Sequence, residues 1–246
     1  MRSAWVASFL AAVLVAAGCA QEDDAHRLRS LDVTASPAQA AADEALADST
    51  LLTLDDFPAR WRALPRPEEI TLGRQEKADL ARCLGADSDV FDLDLPHAGT
   101  PTFVSPAGDT VTARVSLAAD DTGSRRSIEV LRRTAAPDCY AEAAFQAAGA
   151  FEPDGAPAGV EVGTVSAVPI PYADFGNTTV AWRMSVPITA GREHANMYLD
   201  TVVVRVGRAL ISFSFQSQIR PYDRDQSEHV VSILVERVTE AVAEED

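Results

Sequence analysis

Basic charge is scarce in this sequence, and lysine is almost absent. Lys77 is the only lysine among 21 basic residues, whereas 37 residues are acidic, so the formal net charge is −16. A surface this acidic repels phosphate backbones, which argues against nucleic acid as a partner. The use of arginine in place of lysine is typical of a GC-rich bacterial genome.

Sequence motifs for catalysis are also missing. The chain has no Gly-x-Ser-x-Gly, no Walker loop, no His-Glu-x-x-His and no Cys-x-x-Cys, so the usual signatures of several hydrolase and metal-site classes are lacking. The histidines are interpreted as surface residues; they are His26, His97, His194 and His229. We therefore predict no catalytic residue and no cofactor, although the many carboxylates leave a glycosidase open.

The acidic segment from Asp87 to Asp94 lacks the features of a calcium loop. Asp87, Asp89, Asp92 and Asp94 alternate with apolar residues, without the glycine and the distal glutamate that such a loop needs. We expect an irregular, solvated or half-buried segment here and no metal site.

Cysteine is rare, and the first of three cysteines ends an N-terminal targeting segment. Residues 1–18 are predicted to be a signal peptide, because Arg2 precedes an apolar stretch too short for a permanent membrane span. The end of this stretch, Ala-Ala-Gly-Cys19, resembles the bacterial lipoprotein signal. The resemblance implies a diacyl anchor on Cys19 that holds the protein on the outer face of the cell membrane. The alternative is a plain secretory signal with Cys19 as a free thiol.

Cys83 and Cys139 are the only cysteine pair left once Cys19 is acylated. Each lies in a predicted helix, and thiols outside the cytoplasm meet oxidising conditions. We predict a disulfide between them, and closing so long a loop contributes about 4 kcal/mol in the chain-entropy model. The alternative is two buried thiols that pack as small hydrophobic side chains.

The rest of the chain divides into a tether and one domain. Residues 19–50 are acidic and almost free of aromatics, which predicts a flexible tether because little apolar surface is available to offset the entropy of ordering. A transient helix over Ala38–Ala47 is the alternative for part of it. Residues 51–246 are predicted to form a single globular domain.

The clearest pattern in this domain is a hairpin around Gly207. In its register Val204 lies opposite Ile211 and Val202 opposite Phe213, so these four side chains share one apolar face. Further alternating strands and amphipathic helices lie on both sides of it. They predict an α+β fold, an antiparallel sheet of about six strands covered by three or four helices as an α/β sandwich.

Aromatic or amide residues in predicted loops near strand ends are the candidate ligand-cleft residues. Two aromatics in the short connection before a strand exceed what a purely structural loop needs. For the tryptophan that follows Pro58, covering a sheet edge is the alternative role. The candidates are Trp61, Tyr172, Phe175, Asn177 and Tyr222.

The run from about residue 72 to residue 241 resembles a known family. Cys83 in the first helix, Cys139 after Ala-Ala-Pro137 and the strand-turn-strand-helix ending are similar to PknH-like extracytoplasmic sensor-type domains of actinobacterial receptor kinases and lipoproteins. The resemblance implies an α/β sandwich that binds a ligand from the cell envelope, a lipid, glycan or protein, without catalysis. A protein–protein interaction module and an envelope hydrolase are the alternatives.

Overall fold

The fold is described by a computed structural model that covers residues 36–65, 74–86, 95–150, 160–191 and 193–244. The predicted signal peptide, Cys19, the first part of the tether and the Asp87–Asp94 segment lie outside these described residues. Among the described helices, none is both long enough and apolar enough to cross a bilayer.

Within these ranges nine strands form one antiparallel sheet in the order β1-β3-β4-β9-β8-β7-β5. β2 and β3 pair with consecutive parts of β4, and β5 and β6 pair with consecutive parts of β7. β2 and β3 therefore act as one interrupted strand, as do β5 and β6. The predicted α+β class is confirmed, with more strands than the six expected. The strands are β1 (Arg62–Leu64), β2 (His97–Gly99), β3 (Thr102–Val104), β4 (Thr110–Leu117), β5 (Val160–Val162), β6 (Ser166–Pro169), β7 (Thr178–Ala190), β8 (Glu193–Val206) and β9 (Ala209–Gln218).

The hairpin of β8 and β9 has the predicted register. Val202 pairs with Phe213 and Val204 with Ile211, and all four side chains are buried. Gly207 occupies the turn with φ 53°, a left-handed conformation that glycine adopts without steric cost. The apolar face deduced from strand alternation is therefore the centre of the core.

Helices cover both faces of the sheet. On the first face, which carries Val202 and Phe213, lie α1 (Pro37–Thr50) and α5 (Arg224–Ala243). On the second face, which carries Trp182 and Met184, lie α3 (Asp121–Leu131) and α4 (Ala136–Ala150), with α2 (Arg74–Leu84) packed against α4. The arrangement is the α/β sandwich that the sequence predicts.

Two aspartates fix where the helices α3 and α5 begin. The Asp120 carboxylate accepts a hydrogen bond from the Gly123 N–H at 2.8 Å, and the Asp223 carboxylate accepts one from the Gln226 N–H at 3.0 Å. An acceptor at the N-cap satisfies a backbone donor that has no partner inside the helix. These caps set the entry of each helix onto its face of the sheet.

The tether prediction is wrong for residues 37–50, which form α1. Ala47 is fully buried against the first face. Asp43, also buried, accepts a hydrogen bond from Arg208 Nη2 at 2.8 Å. The helix is so rich in alanine that its apolar stripe is weak, and its docking depends on a partner more than 160 residues away in the chain.

The predicted disulfide is present and joins α2 to α4. The Cα atoms of Cys83 and Cys139 lie 5.8 Å apart. Around Cys139, which is buried, a small apolar cluster includes Leu80, Leu84 and Val130. The bridge closes a loop with a sequence separation of 56 residues, so it limits the freedom of the unfolded chain and holds α2 on the outside of the second helical layer.

Gly176 provides a sharp test of how the loop 171–177 packs onto β8. Its φ is 56°, and a Cβ atom there would lie 2.5 Å from the Arg205 carbonyl oxygen and 2.9 Å from Val206 Cγ2. We expect Gly176→Ala to lower the free energy of unfolding by about 3 kcal/mol or more, since backbone strain adds to a clash with fixed backbone. Gly191 has φ 64° and open space around its Cβ position, so Gly191→Ala is the control and is expected to cost only about 1 kcal/mol. Equal losses in urea unfolding would contradict the packing described.

Asp56 attaches the start of the domain to α5. Its carboxylate accepts hydrogen bonds from Arg237 Nη1 at 2.9 Å, Arg237 Nη2 at 2.5 Å and the Thr53 N–H at 2.7 Å. Burial raises the pKa of Asp56, but the hydrogen bonds from Arg237 and Thr53 together outweigh it, so its pKa lies below the ordinary value for an aspartate.

This lowered pKa predicts a pH-dependent stability. A carboxylate with a depressed folded-state pKa stabilises the fold above its unfolded pKa, and the effect disappears as the pH falls through the folded pKa. We expect Asp56→Asn to destabilise by roughly 1 kcal/mol at pH 7 and progressively less below about pH 4. Urea unfolding across pH checks this, with the exposed neighbour Asp55→Asn as the control; a constant difference across pH would contradict it.

Candidate functional site

One row of paired residues crosses the first face of the sheet and changes from apolar to charged. Phe103 pairs with Val111, Val111 with Phe215, Phe215 with Asp200, and Asp200 with Arg183. Residues paired across antiparallel strands share a face. The apolar part of the row belongs to the core, whereas the last two positions place an ion pair on β8 and β7.

The ion pair between Arg183 and Asp200 is bidentate. Arg183 Nε donates to Asp200 Oδ1 and Arg183 Nη2 to Asp200 Oδ2, both at 2.6 Å. The hydrogen bonds to Asp200 raise the pKa of Arg183 further above its ordinary value. Asp200 is buried while Arg183 is half-buried, so the guanidinium plane is held rigidly at the boundary between core and solvent.

Tyr172 is half-buried beside this pair, in the loop between β6 and β7. Its hydroxyl donates to Ser227 Oγ at 2.9 Å in the first turn of α5. One residue on, the Ala173 N–H donates to Glu228 Oε1 at 3.2 Å. Burial raises the pKa of Tyr172, and the charges of Glu228 and Asp200 raise it further. The loop thus brings a neutral phenol to the start of α5.

The structure places Phe175 and Tyr222 near Tyr172. The Phe175 ring lies 6.2 Å from the Tyr172 ring and is half-buried. Tyr222 packs on Phe215 at 5.1 Å between ring centroids and is only 6% exposed, so it supports the site from inside the core. Burial raises the pKa of Tyr222. Three of the five predicted residues are therefore close together on the first face.

The other two predicted residues lie elsewhere. Trp61 stacks on Phe57 at 4.7 Å, and Phe57 in turn contacts Phe103 at 4.4 Å. This cluster is four strand spacings, or about 19 Å, from Arg183. Asn177 Oδ1 accepts a hydrogen bond from the Gly207 N–H at 2.6 Å, so Asn177 fastens its loop to the turn between β8 and β9.

Tyr198 completes a group that sequence reasoning did not assemble. It lies two residues before Asp200 on the same face of β8 and is half-buried. Its interaction with Arg183 contributes to the raised pKa of that guanidinium. We call Tyr172, Tyr198, Arg183 and Asp200 the tyrosine patch. One signal for it was available in the sequence, because Asp200 is a charged residue on the strand face that also carries Val202 and Val204.

Two exposed apolar side chains flank the tyrosine patch. Val168 of β6 pairs with Arg183 of β7, and its side chain is 54% exposed. Ile219, just after β9, is 84% exposed and has φ 76°, an unusual conformation for a β-branched residue. Its N–H donates to the Asn196 carbonyl at 3.1 Å, next to the strand segment that carries Tyr198. The patch therefore has apolar borders on both sides.

The described residues contain no group of three or more histidine, cysteine or acidic side chains arranged to hold a metal ion. A hydroxyl–imidazole contact joins Thr189 Oγ1 and His194 Nδ1 at 3.0 Å, but both residues lie at the end of the β7–β8 hairpin, outside the tyrosine patch. The geometry of the patch suits recognition through rings, hydroxyls and a fixed ion pair.

No protein-family model matches this chain, and the comparison with curated proteins gives no match either. Among solved structures, the extracellular domain of PknH from Mycobacterium tuberculosis matches with a TM-score of 0.42 and 10% identity, over 80% of this chain and 96% of that one. LpqN of Mycobacterium tuberculosis, described as involved in cell envelope biogenesis, matches with a TM-score of 0.24 and 12% identity, over 73% and 77%.

The ion pair predicts a specific pattern of stability changes. Asp200→Ala leaves the half-buried Arg183 charge without its partner, and we expect it to lower the free energy of unfolding by about 2–3 kcal/mol. The double variant Arg183→Met, Asp200→Leu removes both charges and is expected to lose about 1 kcal/mol or less. Urea unfolding of Asp200→Ala, of the single variants Arg183→Met and Asp200→Leu, and of the double variant measures this, and purely additive losses in the Met/Leu cycle would show that the two groups are not coupled.

Proposed function

We propose that this protein is a lipid-anchored, non-catalytic domain that binds cell-envelope material outside the cell. Cys19 carries the diacyl anchor, and the tyrosine patch is the ligand site. The observation that carries this proposal is the grouping of Tyr172 and Tyr198 around the Arg183–Asp200 pair, at the end of the first face where α5 begins.

The chemistry of the patch favours a glycan with a short peptide, the composition of peptidoglycan fragments. Tyrosine rings offer flat apolar surfaces to sugar rings. The Tyr172 hydroxyl donates to Ser227 and can still accept a hydrogen bond from a ligand. The bidentate ion pair holds the half-buried Arg183 guanidinium in a fixed position, and its remaining N–H groups suit amide carbonyls and the carboxylate ends of peptides. The net charge of −16 disfavours strongly anionic lipid surfaces as the main target.

Titration of the full chain with soluble muropeptides from a peptidoglycan digest tests this proposal. We expect Tyr198→Ala to weaken binding about tenfold or more, as expected when an aromatic contact in a small site is lost. Tyr222→Phe is the matched control, because Tyr222 is buried and its ring is retained, and its affinity should stay unchanged. Absence of muropeptide binding in the wild-type chain would refute the proposal.

A protein partner is the second candidate, and the exposed Val168 and Ile219 favour it. Apolar side chains that border a polar patch are typical of a docking surface. Ile219 follows β9 and is not paired with either residue of the ion pair, whereas Val168 pairs with Arg183, so Ile219→Ser in the same titration should leave muropeptide binding intact, and Val168→Ser tests the shared border. A patch that ignores muropeptides but loses a protein partner with Val168→Ser would favour this second function.

A further inference from the structure

The first face of the sheet continues past the tyrosine patch toward the tip of the β7–β8 hairpin. Here it consists of three rows, each with one residue of β8 opposite one residue of β7. Residues paired across antiparallel strands share a face, and every second residue of a strand returns to it, so these rows lie on the face that carries Arg183 and Asp200. We call them the platform; they are Tyr198–Ser185, Asn196–Pro187 and His194–Thr189.

The platform is open to solvent, whereas the other side of the same strands is packed. Pro187, His194 and Asn196 are exposed, and the remaining platform side chains are half-buried. The side chains that alternate with them point to the second face and are buried; they include Met184, Val186, Met197 and Leu199. The core therefore supports the two strands from behind, and the platform is an accessible surface in front.

The platform gives the direction in which a ligand can extend from the tyrosine patch. On the other side of the ion pair, the loop 171–177 covers the first face, because Tyr172 and Phe175 pack against the core cluster that includes Ala181. The hydrogen bond from Tyr172 to Ser227 joins this loop to α5. A ligand on the patch therefore meets the loop and α5 at one end and open sheet at the other.

The platform offers hydrogen-bonding groups but no carboxylate and no guanidinium. Its rows supply hydroxyls, one carboxamide and one imidazole, groups that donate and accept hydrogen bonds. In the last row, Thr189 Oγ1 and His194 Nδ1 lie 3.0 Å apart. From Arg183 to Thr189, β7 advances by about 20 Å, whereas the patch spans about 7 Å of β8 from Tyr198 to Asp200. This chemistry and this length suit the hydroxyl and acetamido groups of a sugar chain.

We propose that the platform extends the tyrosine patch into an elongated site for a glycan strand of several disaccharide–peptide units. This inference rests on the function proposed above and specifies its ligand as a polymer, not a released fragment. The tyrosine patch holds one unit, with the peptide end at Arg183, and the sugar chain continues along β7 and β8 over Asn196 toward the hairpin tip.

Glycan strands of defined length test this inference. The probes are purified one-unit and three-unit strands from a partial peptidoglycan digest, which carry the same sugars and the same peptide. Three equivalent units raise the apparent affinity about threefold by statistics alone, whereas simultaneous contact with patch and platform should raise it about tenfold or more. Isothermal titration of the full chain with both probes measures this ratio.

Variants of single side chains separate the platform from the patch. Asn196→Ala should weaken three-unit binding about fivefold to tenfold, as expected for one lost hydrogen bond, and leave one-unit binding unchanged. Gln218→Ala is the matched control, because Gln218 is an exposed amide that pairs with Met197 and so lies on the second face. Its affinity for both probes should equal that of the parent chain. Tyr198→Ala removes a ring shared by patch and platform and should weaken the binding of both probes.

The outcomes distinguish this inference from the function on which it rests. Equal affinity for the two probes, or a gain of only about threefold, would overturn the platform and leave the tyrosine patch as a site for single units. An equal loss for both probes with Asn196→Ala would also overturn it, because the first unit would then already reach Asn196. Binding of neither probe would overturn both proposals and favour a protein partner.

Discussion

The register of β8 between β7 and β9 is the constraint on which the rest of the molecule depends. With Val202 opposite Phe213 and Thr201 opposite Trp182, the two faces receive different chemistry. A slip by one residue would move every side chain of β8 to the other face. The apolar surface for α5 and the ion pair of Asp200 would be lost together, so the core and the candidate site share one determinant.

Local patterns explain why much of the fold could be predicted. The alternation in β4 and the Gly207 turn each specify their element through nearby residues. The register of the β8–β9 hairpin follows from the length of its turn. In contrast, the sequence predicts a tether where α1 forms, because the residues of α1 carry little amphipathic signal. Its stability comes from Asp43 binding Arg208 and from Ala47 packing on the sheet, neither of which is visible in a local window.

The candidate site shows the same division. Tyr172 and Phe175 could be selected because two aromatics in a short loop are unusual, whereas Tyr222 turned out to support the site from the core. The pairing of Arg183 with Asp200 depends on two strands being in a given register across the β7–β8 turn. Such coincidences between distant positions become visible only when the sheet is assembled. The local trace of this one is limited to Asp200, a charged residue on the strand face of Val202 and Val204.

Under the lipid anchor proposed at Cys19, the docking of α1 changes how far the domain can reach from a membrane. For a chain held at Cys19, a tether that ran to residue 50 would have placed the first ordered residue 32 positions away, whereas α1 begins 18 positions away at Pro37. At about 3.5 Å per residue, the greatest reach falls from about 110 Å to about 60 Å. With so short a linker, the anchored domain would reach only the layer nearest the bilayer. Larger structures farther out in the envelope would have to extend inward to contact it.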